Sequence, residues 1–104
     1  MQIVEKLYDM IEEEMDDAEK YIRCAQNHKE DMPTLAETFY TLSLEEMKHM
    51  KMLHDQVVMI IENYKKTQGP PPERMQVLYD YVHKKSMERA SEIRAMQTVY
   101  KSKE

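Results

Sequence analysis

The strongest constraint on this chain is where it places the residues that end helices. Its 104 residues include one glycine, Gly69, which stands directly before the three prolines 70–72. Proline cannot continue a helix, and glycine readily adopts the positive φ of a helix C-terminal turn. A second break runs from Asn27 to Pro33, and good helix formers such as Glu, Lys, Leu and Met fill most of the remainder.

These two breaks predict three long helices, at about residues 2–28, 33–67 and 72–101. Short connections make consecutive helices antiparallel neighbours. We therefore expect an all-α fold, an antiparallel bundle of three long helices, with residues 1–104 forming a single domain.

The helix ends carry their own signals. Thr34, followed by Glu37 three residues later, is typical of a capping box at the start of the second helix, and Asp31 is the alternative cap. Lys65 and Lys66 favour a helix end just before Gly69, because cations stabilise the negative end of the helix dipole.

Charge and composition exclude several classes of protein. The net charge is −5, and residues 1–32 carry ten acidic against four basic residues. An acidic surface of this kind argues against a nucleic-acid partner and suits a cation. No apolar stretch approaches the roughly 20 residues of a membrane span, so no membrane partner is expected.

The remaining composition favours a cytoplasmic protein. The N-terminal residues show no basic leader followed by an apolar run, so no signal peptide is expected. The single cysteine, Cys24, excludes an internal disulfide and any Cys-x-x-Cys metal knuckle.

Apolar residues recur at alternating spacings of three and four, which is typical of a helix face turned toward a partner. The pattern is less regular in the third helix than in the first two. The predicted stripes are Val4, Leu7, Ile11, Glu14, Ala18, Tyr21 and Ala25; then Leu35, Phe39, Leu42, Glu46, His49, Leu53, Gln56 and Ile60; then Met75, Leu78, Val82, Ser86, Arg89 or Ala90, Ile93, Met96 and Tyr100.

Three members of the first two stripes are polar: Glu14, Glu46 and His49. Glu46 and His49 are three residues apart, so they project from one helix face. If the first turn is centred near residues 30–31, Glu14 lies opposite Met47, at a height between Glu46 and His49. The sequence therefore predicts that three potential ligands meet at one buried point.

A buried carboxylate is costly unless it is neutralised, and a divalent metal ion can do so. Carboxylate and imidazole ligands suit iron or manganese, with zinc as an alternative. Asp17, one turn after Glu14, is a further candidate ligand or a relay for incoming cations. Glu45, four residues before His49, is a candidate partner that orients the imidazole.

A purely structural interpretation stays open. By the same arithmetic, Arg89, Glu92 and Ile93 of the third helix lie near the predicted site. Arg89 could then neutralise Glu14 or Glu46, and the site would hold no metal. The chain would in that case be a metal-free helical interaction or scaffold module.

Two weaker patterns involve other histidines. Met50 and His54 are one turn apart and resemble a soft copper site, although methionine is a routine core residue. Asp80 and His83 form an Asp-x-x-His pair far from the predicted site height, and His83 is expected to be solvated.

Helices one and two also carry a recognisable arrangement over about residues 3–66: Glu14 and Tyr21, then Leu35-Ala36-Glu37-Thr38-Phe39, then Glu45-Glu46-Met47-Lys48-His49. This arrangement resembles the ferritin-like superfamily, and it is closest to rubrerythrin-type and short encapsulated-ferritin proteins. The resemblance implies a di-iron carboxylate centre with Glu14, Glu46 and His49 as ligands. It also implies ferroxidase activity or the reduction of peroxide or dioxygen.

The chain departs from that family in having three helices and one Glu-x-x-His motif, where a full ferritin-like bundle has four helices and two motifs. The resemblance therefore implies a half-bundle that a homodimer or higher oligomer completes across an interface. Alternatively, one chain holds a single ion with Glu92 as an extra oxygen ligand, or holds none. One cysteine cannot build the rubredoxin-like module of rubrerythrins.

Overall fold

The structure, a computed structural model, describes residues 1–102. It consists of the helices α1 (Gln2–His28), α2 (Pro33–Gln68) and α3 (Glu73–Ser102), with no strand in that part of the chain. The all-α bundle of three long helices is confirmed, and the predicted helix ends agree to within one residue. None of these helices is long and apolar enough to cross a membrane.

The start of α2 differs from the prediction. Met32 is the N-cap residue, no side chain caps the helix, and Pro33 is its first residue. The expected capping box of Thr34 and Glu37 and the alternative cap by Asp31 are therefore wrong. The physical reason is that proline, with a φ already suited to a helix and no N–H group, favours the first helical position, so that Thr34 is already helical.

The end of α2 follows the prediction. Gly69 has a φ of 81°, and its N–H group donates a hydrogen bond to the carbonyl of Lys65 at 3.1 Å. Other residues rarely adopt such a φ, which explains why the only glycine stands here. Lys65 and Lys66 lie in the last turn, where their charges oppose the helix dipole.

Small residues line the seam between α1 and α2. Ala18, Ala25, Ala36 and Ser43 are all completely buried. Their small side chains let the two helices pack closely. The Ser43 hydroxyl donates a hydrogen bond to the carbonyl of Ala18 at 2.7 Å, which ties the two helices together at one height.

Helix α3 packs on one side of the α1–α2 hairpin and gives a rod of 55 × 17 × 17 Å. Arg89 pairs with Asp16 of α1 at 2.6 Å, and the Gln97 amide donates to the Ser43 hydroxyl of α2 at 2.9 Å. The main core lies between the three helices and includes Val4, Tyr8, Ile11, Met15, Met47, Met50, Val57 and Ile93.

The irregular pattern of α3 gave a partly wrong interpretation of its buried face. Leu78, placed on the predicted stripe, is 50% exposed, whereas its neighbour Tyr79 is 6% exposed. The Tyr79 hydroxyl accepts a hydrogen bond from the amino group of Met1 at 2.7 Å. A tyrosine can be buried with its hydroxyl paired, so apolar spacing alone does not identify this face.

We expect Ser43→Ala to lower the free energy of unfolding by about 1–3 kcal/mol, because it leaves the buried Gln97 amide without its acceptor. Replacing both partners with apolar residues, as in Ser43→Ala/Gln97→Leu, should recover much of the loss. Urea denaturation measures both effects. Thr41→Ala, which deletes an exposed hydroxyl from the same helix, is the matched control, and an equal effect of Ser43→Ala and Thr41→Ala would contradict this account.

Candidate metal centre

Glu14 of α1 meets Glu46 and His49 of α2 near the middle of the hairpin. One ligand atom from each residue lies within 4.8 Å of the others. The His49 Nδ1 atom is 3.3 Å from Glu14 Oε2 and 3.8 Å from Glu46 Oε2. The predicted convergence is therefore found, and the role of these residues as metal ligands stays a prediction.

The hairpin itself produces this convergence. The three-residue spacing places Glu46 and His49 on adjacent turns of one face of α2. The short link between His28 and Pro33 sets the register, so that Glu14 comes level with the pair. No loop residue is needed to complete the cluster, and all three side chains project from rigid helices.

The expected burial of the cluster is wrong. The side chains of Glu14, Glu46 and His49 are 26%, 18% and 54% exposed. The reason is the position of α3, which packs against a different side of the hairpin. The residues that α3 covers, such as Met15 of α1 and Met47 of α2, are buried one position along the chain from Glu14 and Glu46.

The Glu14 carboxylate changes the titration of its neighbour Glu46. A hydrogen bond between the side chains of Glu14 and Glu46 raises the pKa of Glu46 above its usual value of 4.5. Burial and the negative charge of Glu14 raise this pKa further, and His49 partly opposes the shift. The pair therefore binds a proton more tightly than an isolated carboxylate, and a divalent cation can take the place of that proton.

Two rows of apolar residues extend from the cluster on the side that α3 leaves uncovered. They follow the same alternating spacing as the cluster residues, and several members are markedly exposed, with Ile3 at 49%, Met10 at 41% and Leu35 at 40%. We call the two rows together with the cluster the open face. The rows consist of Ile3, Leu7, Met10 and Tyr21 of α1 and Leu35, Phe39, Leu42, Leu53 and Ile60 of α2. Of these, Leu7, Phe39, Leu53 and Ile60 are partly buried against the core.

The three further candidates, Asp17, Glu45 and Glu92, do not join the cluster. Asp17 and Glu45 are exposed, and neither belongs to the group of ligand atoms that meet. Glu92, the further oxygen ligand expected from α3, is not in this group either, and it lines a surface groove with neighbouring α3 residues such as Glu88.

Arg89 does not neutralise the cluster either. Its guanidinium group pairs with Asp16 at 2.6 Å and lies 3.6 Å from Glu19, both on α1. The proposed structural salt bridge from Arg89 to Glu14 or Glu46 is therefore wrong. Within residues 1–102, the basic side chain that lies against the two carboxylates is His49.

We expect Glu46→Gln to stabilise the metal-free protein at pH 7 by roughly 1 kcal/mol, the energy of two like charges about 4 Å apart in a water-like environment. Because the folded pKa of Glu46 is raised, the stability that its proton contributes is complete below pH 4.5 and is lost as the pH rises through the folded value. The gain from Glu46→Gln should therefore vanish in acid. Urea denaturation across this pH range tests the sign.

Glu45→Gln is the matched control, because it removes the same charge from an exposed neighbour outside the cluster. If the two variants have equal stability at pH 7, or if Glu46→Gln is the less stable, the carboxylates do not repel each other as inferred.

No family model, curated protein or solved structure matches the chain. The ferritin-like resemblance of α1 and α2 therefore stays a prediction. What bears on function is the geometry and the chemistry of the cluster.

Proposed function

We propose that this chain is a ferritin-like iron-binding protein whose ligands are Glu14, Glu46 and His49. The observation that carries the proposal is the meeting of these three side chains within 4.8 Å, between rows of mainly apolar residues on α1 and α2. Nothing about an apolar surface explains why two acids and an imidazole lie together, whereas the binding of a cation would explain it.

The donor set fits iron. Carboxylate oxygens with one imidazole nitrogen suit ferrous iron or manganese, whereas zinc sites are usually closed by more nitrogen or sulfur ligands. The closeness of the two carboxylates also fits, because a divalent ion would offset the repulsion between them. Manganese and zinc are the alternatives that metal analysis distinguishes.

One chain offers too few ligands for a di-iron centre, and a second copy is the partner we propose. In a two-fold interface the same patch faces itself. Two open faces joined in this way would contribute four carboxylates and two imidazoles. This equals the donor set of ferritin-like di-iron sites, with one Glu from each of two helices and one Glu-x-x-His from each of the other two.

The exposed apolar rows support the same partner. Side chains such as Ile3 and Met10 are about as exposed as surface residues, yet they lie on a line with the cluster. Contact with a second open face would remove them from water and stabilise the pair by about 25 cal/mol for each Å² buried. The same contact would shield the carboxylates, which strengthens their attraction for a cation.

The proposed activity is the oxidation of ferrous iron, with dioxygen or peroxide as the oxidant. Bound iron supplies the one-electron chemistry, and the chain supplies the ligands. Glu14 and Glu46 offset the charge of the ion, while His49 is fixed beside them on a helix. The 54% exposure of His49 leaves a path for small reactants to reach the cluster of a single chain.

Anaerobic titration with ferrous iron, followed by air, tests binding and activity together. We expect one iron bound for each chain and new near-ultraviolet absorption after exposure to air. Glu46→Ala and His49→Ala should each abolish the binding, because each removes a ligand. Glu45→Ala, a neighbouring acid outside the cluster, should leave it intact. A wild-type protein that binds no iron would contradict the proposal.

The oligomeric state in solution tests the proposed partner. We expect a dimer by sedimentation, and we expect Met10→Lys to give monomers and to reduce the rate of iron oxidation, because it places a charge in the open face. Val99→Lys introduces the same charge at an exposed apolar site on α3, where Val99 is 47% exposed, and should change neither. If the wild-type protein is a monomer and still oxidises iron, the shared centre is excluded.

The metal-free scaffold is the alternative. In that case neither metal nor chelator would change the melting temperature of the protein. A bound metal would instead raise it, because binding increases the free energy of unfolding by about 2.7 kcal/mol when the metal concentration is 100 times the dissociation constant. The exposed apolar rows would then be an interface for a protein partner only.

A further inference from the structure

A second pair of metal-ligating side chains joins α2 to α3. His54 Nε2 lies 3.1 Å from His83 Nδ1. The ring centroids are 5.0 Å apart and the rings are tilted by 29°. The two rings are therefore partly stacked, with their nearest nitrogens within hydrogen-bonding distance of each other.

The surroundings keep this pair available as ligands. Burial and the neighbouring His83 lower the pKa of His54 below its usual value of 6.5. A neutral imidazole carries one unprotonated nitrogen, which is the form that binds metals. His83 is exposed, so an ion can approach the pair from solvent.

We infer that His54 and His83 form a second metal site that holds α2 against α3. Its ligands suit zinc or a similar divalent transition-metal ion. Two imidazole nitrogens bound to one ion at about 2.0–2.1 Å lie roughly 2.8–3.4 Å apart for bond angles between 90° and tetrahedral. The observed separation of 3.1 Å already falls in this range. Rotation of the rings about their outer side-chain torsions, which are soft, turns both lone pairs onto a common ion.

This site differs from the cluster on the open face in its ligands and its place. Its protein ligands are imidazoles alone, and imidazole favours zinc, copper and nickel over the ions that carboxylates prefer. His54 follows His49 by five residues, which places it about 140° further around the axis of α2. The two sites therefore share no ligand, and each can be removed without the other.

A metal ion bound by His54 and His83 would join α2 to α3 near the loop that connects them. The other side-chain hydrogen bonds between α2 and α3 within residues 1–102 include those of Glu37 with Lys101 and of Ser43 with Gln97. Both lie toward the end of the rod that is far from the α2–α3 loop. Nearer that loop, the His54–His83 pair is the polar link between the two helices.

Zinc titration of the Glu46→Gln/His49→Gln double variant tests the inference, because that background lacks the cluster on the open face. We expect isothermal titration to detect one Zn²⁺ for each chain and the melting temperature to rise with zinc concentration. Adding His83→Ala, or separately His54→Gln, should remove both the binding and the rise. Adding His28→Ala, which deletes an imidazole elsewhere, should change neither.

The site is absent if the double variant binds no zinc, or if it binds zinc equally well after His83→Ala. Sedimentation distinguishes a clamp within one chain from a bridge between chains, and a zinc-induced dimer of the double variant would overturn the clamp. Circular dichroism confirms that each variant is folded before titration. Failure here leaves the iron proposal intact, because the ferrous titration uses the wild-type cluster.

Discussion

The close antiparallel packing of α1 against α2 determines where the residues of the Glu14–Glu46–His49 cluster lie. Small buried residues such as Ala18 and Ser43 allow the approach, and the hydrogen bond between them fixes the relative height of the two helices. The short connection that ends at Pro33 leaves no room for a shift in register. Glu14 therefore faces Glu46 and His49, although 32 residues or more separate them along the chain.

The one-sided packing of α3 decides the environment of that cluster. A helix on the open face would have buried two acids, at a cost that only a metal or a paired cation could offset. With α3 on the other side, water partly solvates the cluster. The hydrogen bond to Glu14, burial and the charge of Glu14 together raise the pKa of Glu46. The cluster therefore holds no fully buried charge, and under the proposed function a bound ion would offset the repulsion between the two carboxylates.

Helix positions and the register of the hairpin were predictable because they depend on local rules. Gly69, the prolines and the alternating spacing sufficed to place three helices and to bring Glu14 level with Glu46 and His49. The solvent exposure of the cluster was not predictable from the sequence. The apolar stripe of α2 is wide enough to face either α1 alone or both α1 and α3. The cap of α2 was missed because Pro33 overrode a plausible Thr34 signal. The His54–His83 contact depends on the rotation of α3, which its irregular pattern does not specify.

The two candidate sites would attract a cation through different interactions. At the cluster, the attraction for a cation comes mainly from charge, since two carboxylates repel each other in an acidic protein of net charge −5. At the histidine pair neither ligand is an anion, so affinity must come from the metal–nitrogen bonds and from how little the helices move to form them. Salt should therefore weaken cation binding at the cluster more than at the histidine pair, because screening acts on charge and leaves coordination bonds unchanged.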